Sequence, residues 1–249
     1  MYKRIEERTT SMAYNLLFYV SLGSYLLLMM LFILLFSGFF STSSGQQMVV
    51  DDAGIVEYRA FHLEAWIGTE ESWILPAFSP VRGLELAAGA VITEDETHAI
   101  TEAKYLFREP TNSRVGFGLV AGALLAPFEE FYTYVPITLP LLEERIVLHG
   151  NAGYTLERHE VEHGDHTHTH EDHFFTWGGR ADVALAGPVT LLGELFGAND
   201  EIPDFQVGFR LEVLSDLLEM DFTYGNNFGR QSSGMGFTVG LAFTPPPFR

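Results

Sequence analysis

Residues 235–243 read Met-Gly-Phe-Thr-Val-Gly-Leu-Ala-Phe. Met235, Phe237, Val239, Leu241 and Phe243 alternate with Gly236, Thr238, Gly240 and Ala242. Successive side chains of a strand point to opposite faces, so one face is large and apolar and the other small or weakly polar. A soluble strand hides its apolar face and shows charge on the other. A strand of a bacterial outer-membrane barrel turns the apolar face to lipid and keeps the lumen side small or polar. An aromatic residue closing the last strand is also what barrel assembly machinery reads. The expected fold is all-β: a transmembrane antiparallel β-barrel in the bacterial outer membrane, with membrane lipid and that machinery as partners.

The same alternation recurs upstream. Twelve strands are predicted at 57–68, 72–79, 83–92, 97–107, 114–125, 130–139, 145–157, 173–186, 188–197, 204–214, 217–226 and 234–243. Lengths near ten suit tilted strands crossing hydrocarbon. An even number puts both termini on the periplasmic side, with 57–68 closing against 234–243. Short turn-forming sequences follow the even strands: Pro80-Val81-Arg82-Gly83, Glu109-Pro110-Thr111-Asn112, Leu141 to Glu144, Ala186-Gly187-Pro188 and Ser215-Asp216. Three longer connections, 158–172, 198–203 and 227–233, fall on the opposite, outer side. Pro76 and Pro136 lie inside predicted strands, where a bulge would flip the faces downstream.

Charge assigns the faces. A charged side chain on the lipid face near the midplane costs roughly 2–4 kcal/mol, so charges belong to the lumen. Phe209, Phe222, Phe237 and Leu241 then face lipid. The lumen receives His62, Glu64, Glu85, Glu102, Lys104, Arg114, His149, Arg180, Asp182, Glu194, Arg210, Glu212, Glu219 and Asp221. Its carboxylates outnumber its cations, which predicts compensated pairs around a weakly cation-preferring constriction. A lumen filled by side chains that only brace the wall is the alternative.

The chain of 249 residues suffices for one large all-β domain. It has no cysteine, which excludes disulfide scaffolds and thiolate metal sites and suits an oxidising periplasm. The formal charge is −19, and Lys104 is the only lysine after the leader, so nucleic acid is excluded as a partner. Residues 1–45 read as a cleavable signal segment, with Lys3, Arg4 and Arg8 ahead of an unbroken apolar run from Leu26 to Phe36. Small residues at Ser43 and Gly45 permit cleavage before Gln46, leaving 46–249 as the barrel domain; an uncleaved anchor is the other reading.

Three stretches carry a family likeness: VLHGNAGYTLER at 147–158, VTLLGELFGANDEIPDFQVGFRLEV at 189–213, and the closing MGFTVGLAF. They resemble a family of outer-membrane transporters named after a MetA-type phenol-degradation pathway. The resemblance covers residues 57–243 and implies a one-domain barrel that acts as a channel or transporter, without catalytic residues to carry over. The chain departs from the pattern in a histidine-rich stretch and in the tail Thr244-Pro245-Pro246-Pro247-Phe248-Arg249.

That stretch holds His159, His163, His166, His168, His170 and His173, interleaved with Glu160, Glu162, Asp165, Glu171 and Asp172. Imidazole suits Zn²⁺, Cu²⁺ and Ni²⁺, and carboxylates complete or orient such sites. The predicted metal ligands are His159, His163, Asp165, His166, His168, His170 and His173, holding a divalent transition metal weakly; no cofactor is required. A solvated acidic loop is the plainer reading. Catalysis has little support: His149 and Asn151 share a face, but no serine lies near them in sequence. The sequence thus predicts a channel or transporter for a small solute. A non-conducting surface barrel that binds metal or a partner comes second, and an outer-membrane lipid hydrolase third.

Overall fold

The computed structural model describes residues 48–69, 71–125, 129–163, 166–199, 201–229 and 235–248, with backbone alone at 129, 159–163 and 166–168. The leader, residues 1–45, lies outside these. The twelve strands are β1 (Phe61–Gly68), β2 (Glu71–Val81), β3 (Leu84–Thr93), β4 (Thr97–Arg108), β5 (Gly116–Leu125), β6 (Glu129–Leu141), β7 (Ile146–His163), β8 (His166–Ala184), β9 (Val189–Ala198), β10 (Asp204–Leu214), β11 (Leu218–Asn227) and β12 (Gly236–Phe243). Each pairs antiparallel with its sequence neighbours, and β1 closes on β12 from Leu63 opposite Phe243 to Gly68 opposite Thr238. The result is a closed twelve-stranded barrel without a free edge.

Its burial is inside out. Ile67, Phe107, Phe175, Leu191, Val207 and Phe209 are exposed, while Lys104, Arg180, Asp182, Glu194 and Gln206 are buried. A soluble protein does the reverse. Outward Phe209 stacks on Phe222 at 5.1 Å between ring centres, and Tyr224 tilts against Phe237 at 4.9 Å. The belt is therefore a cross-strand aromatic and aliphatic surface suited to lipid. Phe209→Arg should cost about 2–4 kcal/mol in folding into phospholipid vesicles, read from urea titration. An unchanged midpoint would mean that this belt does not face hydrocarbon.

The prolines do not flip the faces. On either side of Pro76 the register with β3 is the same, Ile74 opposite Ala90 and Ala77 opposite Ala87. Gly89 lets the strands close there: a Cβ on it would stand 1.9 Å from the Ile74 carbonyl oxygen. Pro136 keeps its place opposite Asn151 in the β6–β7 ladder. Register shifts do occur at Phe78/Val81, Leu106/Arg108 and Glu212/Leu214. All three lie at the ends of even strands, near the termini, so the alternation holds through mid-barrel.

Three expectations need correction. The first strand begins at Phe61 rather than 57, because 57–60 form a turn: the Ala60 N–H bonds the Glu57 carbonyl at 2.8 Å and Arg59 has φ 65°. The connection 158–172 is no loop. β7 and β8 run 18 and 19 residues and pair out to His163 opposite His166. Apart from Val161 both faces of that extension are polar in sequence, so apolar alternation could not reveal it. The sorting of loop lengths also fails in part, since 109–115 near the termini is longer than 199–203 at the other end. The asymmetry lies in the long hairpin instead.

Candidate functional site

The segment 48–56 precedes the wall in sequence and lies inside it. Its backbone donors find acceptors on strands all round the lumen. The Val49 and Val50 N–H groups bond the two oxygens of Glu194 on β9, at 2.8 and 3.0 Å. Ala53 N–H reaches Thr138 Oγ1 on β6 at 2.7 Å, and Val56 N–H reaches Glu85 on β3 at 2.8 Å. From β8, Arg180 Nη1 donates to the Val50 carbonyl at 2.7 Å. Buried backbone polar groups must be paired somewhere, and here the lumen side chains supply what a neighbouring strand would.

Charge fixes the middle of the segment. Lys104 Nζ on β4 stands 2.8 Å from Asp51 Oδ2 and 3.7 Å from Asp52 Oδ1. Tyr134 donates its hydroxyl to Asp51 Oδ2 at 3.0 Å. The Asn151 amide, oriented by its surroundings, donates to the Asp51 carbonyl at 3.0 Å and accepts from its N–H at 2.8 Å. Asp52 caps its own turn by accepting from the Gly54 N–H at 2.6 Å. Val50, fully buried, packs on Phe196 and Met235. Gly178 of β8 leaves room for it, because a Cβ there would come within 2.5 Å of Val50 Cγ2.

Around this segment the predicted lumen residues fall into groups. Arg180 Nε stands 2.9 Å from Asp182 Oδ1 without hydrogen-bond alignment, and its Nη2 donates to Oδ2 at 3.2 Å. His149 lies 2.9 Å from Thr138 Oγ1 through Nδ1 and 3.4 Å from Asp182 through Nε2. Arg210 makes a two-pronged contact with Asp221, at 2.8 and 2.7 Å, with Glu219 at 3.4 Å. His62 bridges Glu64 at 3.1 Å and Thr244 at 2.6 Å. Glu102 accepts from Tyr132 at 3.0 Å. Glu212 accepts from the Asp216 N–H at 3.2 Å at the terminus end. Arg114 is a correction: it is exposed in the β4–β5 turn, bridged to Thr111, because β5 starts only at Gly116.

Two cavities flank the segment. A chamber of about 870 Å³ is lined by Met48–Asp52, by Glu102, Tyr132 and Tyr134, and by Glu130, Glu157, Glu201 and Asp204 at the rim remote from the termini. A smaller space of about 170 Å³ lies between the segment and Trp66, Arg180, Arg210, Asp221 and Thr238. Sequence reading missed the segment and the lumen aromatics, including the Trp66–Trp73 stack at 5.5 Å. The available signal was Asp51-Asp52 next to the wall's sole lysine, Lys104.

Of the predicted metal ligands, the side chains of His159, His163, His166 and His168, and all of Asp165, lie outside the described residues. Their backbone register does not: His159 is opposite His170 and His163 opposite His166. His170 Nδ1 stands 3.4 Å from Asp172 Oδ2, and His173 bonds the Tyr154 hydroxyl at 2.5 Å on the outer face. Among the described residues no three such donors converge on one point.

The family model for "Uncharacterised conserved protein UCP029691" matches residues 32–243. The chain belongs to that family. No curated protein matches it. Among solved structures, the KdgM porin in complex with disordered oligogalacturonate is similar at 10% identity, with TM-score 0.56 over 75% of this chain and 99% of that one. The NanC porin follows at 11% identity and TM-score 0.51, over 74% of this chain and 99% of that one. These likenesses carry the fold, the closed barrel of outer-membrane porins. With the outward apolar belt, they place this member of the family in the outer membrane. Likeness to the MetA-pathway family rests, beyond the barrel, on the three sequence stretches alone.

Proposed function

We propose that the barrel is an outer-membrane channel for small cationic solutes. The observation that carries this reading is the sign of the chamber: Glu102, Glu130, Glu157, Glu201 and Asp204 line it, while its one lysine, Lys104, is already held by Asp51. Like charges round a narrow opening raise the local concentration of counter-ions. The KdgM porin holds an oligogalacturonate, a polyanion. A carboxylate-lined chamber repels such a ligand, so the solute class here is of opposite charge. His149 and Asn151, the pair considered for catalysis, are engaged with Thr138, Asp182 and Asp51, and no hydrolase is proposed.

The test is the zero-current potential of the refolded full barrel in planar bilayers under a potassium chloride gradient. Cation preference is expected, and it should shrink when Glu130 and Glu157 are both changed to Gln. Anion preference, or loss of preference for no pair of these carboxylates, would reject the reading.

A second reading is favoured by one observation, the register of the histidine-rich hairpin. Paired positions 159/170 and 163/166 face each other across a two-stranded ribbon, an arrangement suited to capture of divalent transition metal at the mouth. A barrel with this property alone would be a binding protein rather than a channel.

A further inference from the structure

We propose that residues 48–56 are a plug supplied by the chain itself, and that leaving their seat opens the channel. The proposal rests on the channel reading for its consequence but not for the seat, which is read separately below. The wall is a continuous closed ladder, so it cannot open without breaking strands. The segment is different. It belongs to no strand, and its anchors are side chains: Glu194, Thr138, Glu85, Lys104 and Arg180. Such exchangeable polar contacts each contribute little against water, and a segment held by them opens locally while the rest stays folded.

The seat is shaped for this occupant. Gly178 leaves the hollow that takes Val50, and Glu194 presents both oxygens to consecutive backbone N–H groups. Lys104 is the electrostatic latch, since it meets Asp51 and Asp52 together. A cationic solute gathered in the chamber competes with Lys104 for those carboxylates, which couples solute entry to release. The turn at 57–60 tethers the segment to β1 and acts as its hinge, with Arg59 N–H bonded to the Ser79 carbonyl at 2.9 Å. Once the segment leaves, the two flanking cavities, which share Met48, Asp51, Asp52, His62 and Glu64, become one passage.

The chain has no native cysteine, so an engineered pair reads cleanly. In A53C/T138C, which joins residues in direct contact, a disulfide should form in the refolded barrel. Conductance should be low when oxidised and rise several-fold on reduction. Deletion of 48–56, and independently G178V, which fills the Val50 hollow, should give the high level without reduction. Failure of the disulfide to form in folded barrels would show that the segment is not seated. A disulfide with equal conductance oxidised and reduced would show a seated segment that is no gate. If the deletion variant conducts no ion at all, the channel reading itself fails, whatever the disulfide yield.

Discussion

Lys104→Met should unseat residues 48–56 while leaving the barrel wall folded. Lys104 is 6% exposed and its ammonium meets Asp51 at 2.8 Å. Removing one partner of a buried pair costs about 3–5 kcal/mol because the other charge is stranded. Two features lower that figure here. The Asp51 side chain is 29% exposed and Asp52 45%, so lumen water screens both. The segment also has an escape: by leaving its seat it returns both carboxylates to bulk water. The seat should weaken by about 2–3 kcal/mol, equivalent to roughly 30- to 150-fold in its open population. That change is read as the maleimide labelling rate of a cysteine at position 53, compared with and without the substitution. The urea transition of the wall should move little, since its ladder is untouched. Adding Asp51→Asn should recover part of the loss, because the stranded charge is then gone. A labelling rate that Lys104→Met leaves unchanged would remove the latch from the mechanism.

The latch also marks where sequence reading stops. The wall is legible because lipid imposes one rule on every strand: Phe205, Val207, Phe209 and Leu211 must face out, so Gln206, Gly208 and Arg210 face in. That rule survives Pro76 and Pro136 because the compensation is local, a glycine beside one and an intact partner ladder beside the other. It fails where lipid ends. Residues 159–163 and 166–173 stand beyond the apolar belt, polar on both faces but for Val161, and read as a loop although they pair in register. Arg114 fails for a related reason, since a turn extends two residues past the expected strand start. The segment 48–56 carries no periodicity at all, because its backbone pairs with side chains from β3, β6, β7, β8 and β9 rather than with one neighbour. Among the described residues its ion pairs with the wall, Lys104 against Asp51 and Asp52, follow no spacing rule that a sequence reveals.

Replacing His166, His168 and His170 together by Ala should abolish most of the heat of Zn²⁺ binding to the refolded barrel. The expectation follows from the ribbon. Residues two apart in a strand share a face, and directly paired residues share it across the ladder. Register therefore gathers positions 159, 163, 166, 168 and 170 on one face of the hairpin and leaves 173 on the other, where His173 meets Tyr154. A paired ribbon has already met most of the ordering cost that a free loop would face on binding, so affinity should exceed that of a flexible histidine tract. Asp172, 3.4 Å from His170 Nδ1, is placed to orient that ring. Protonated imidazole cannot ligate, so binding should be full at neutral pH and weaken below about pH 6. The variant must still migrate as a folded barrel, because the substitutions lie beyond the strands' membrane-spanning parts. His173→Ala is the control: it lies on the other face and should leave the zinc heat nearly intact. Equal loss in both variants would show that the ribbon geometry does not define the site. Full binding in the triple variant would move the metal elsewhere on the barrel.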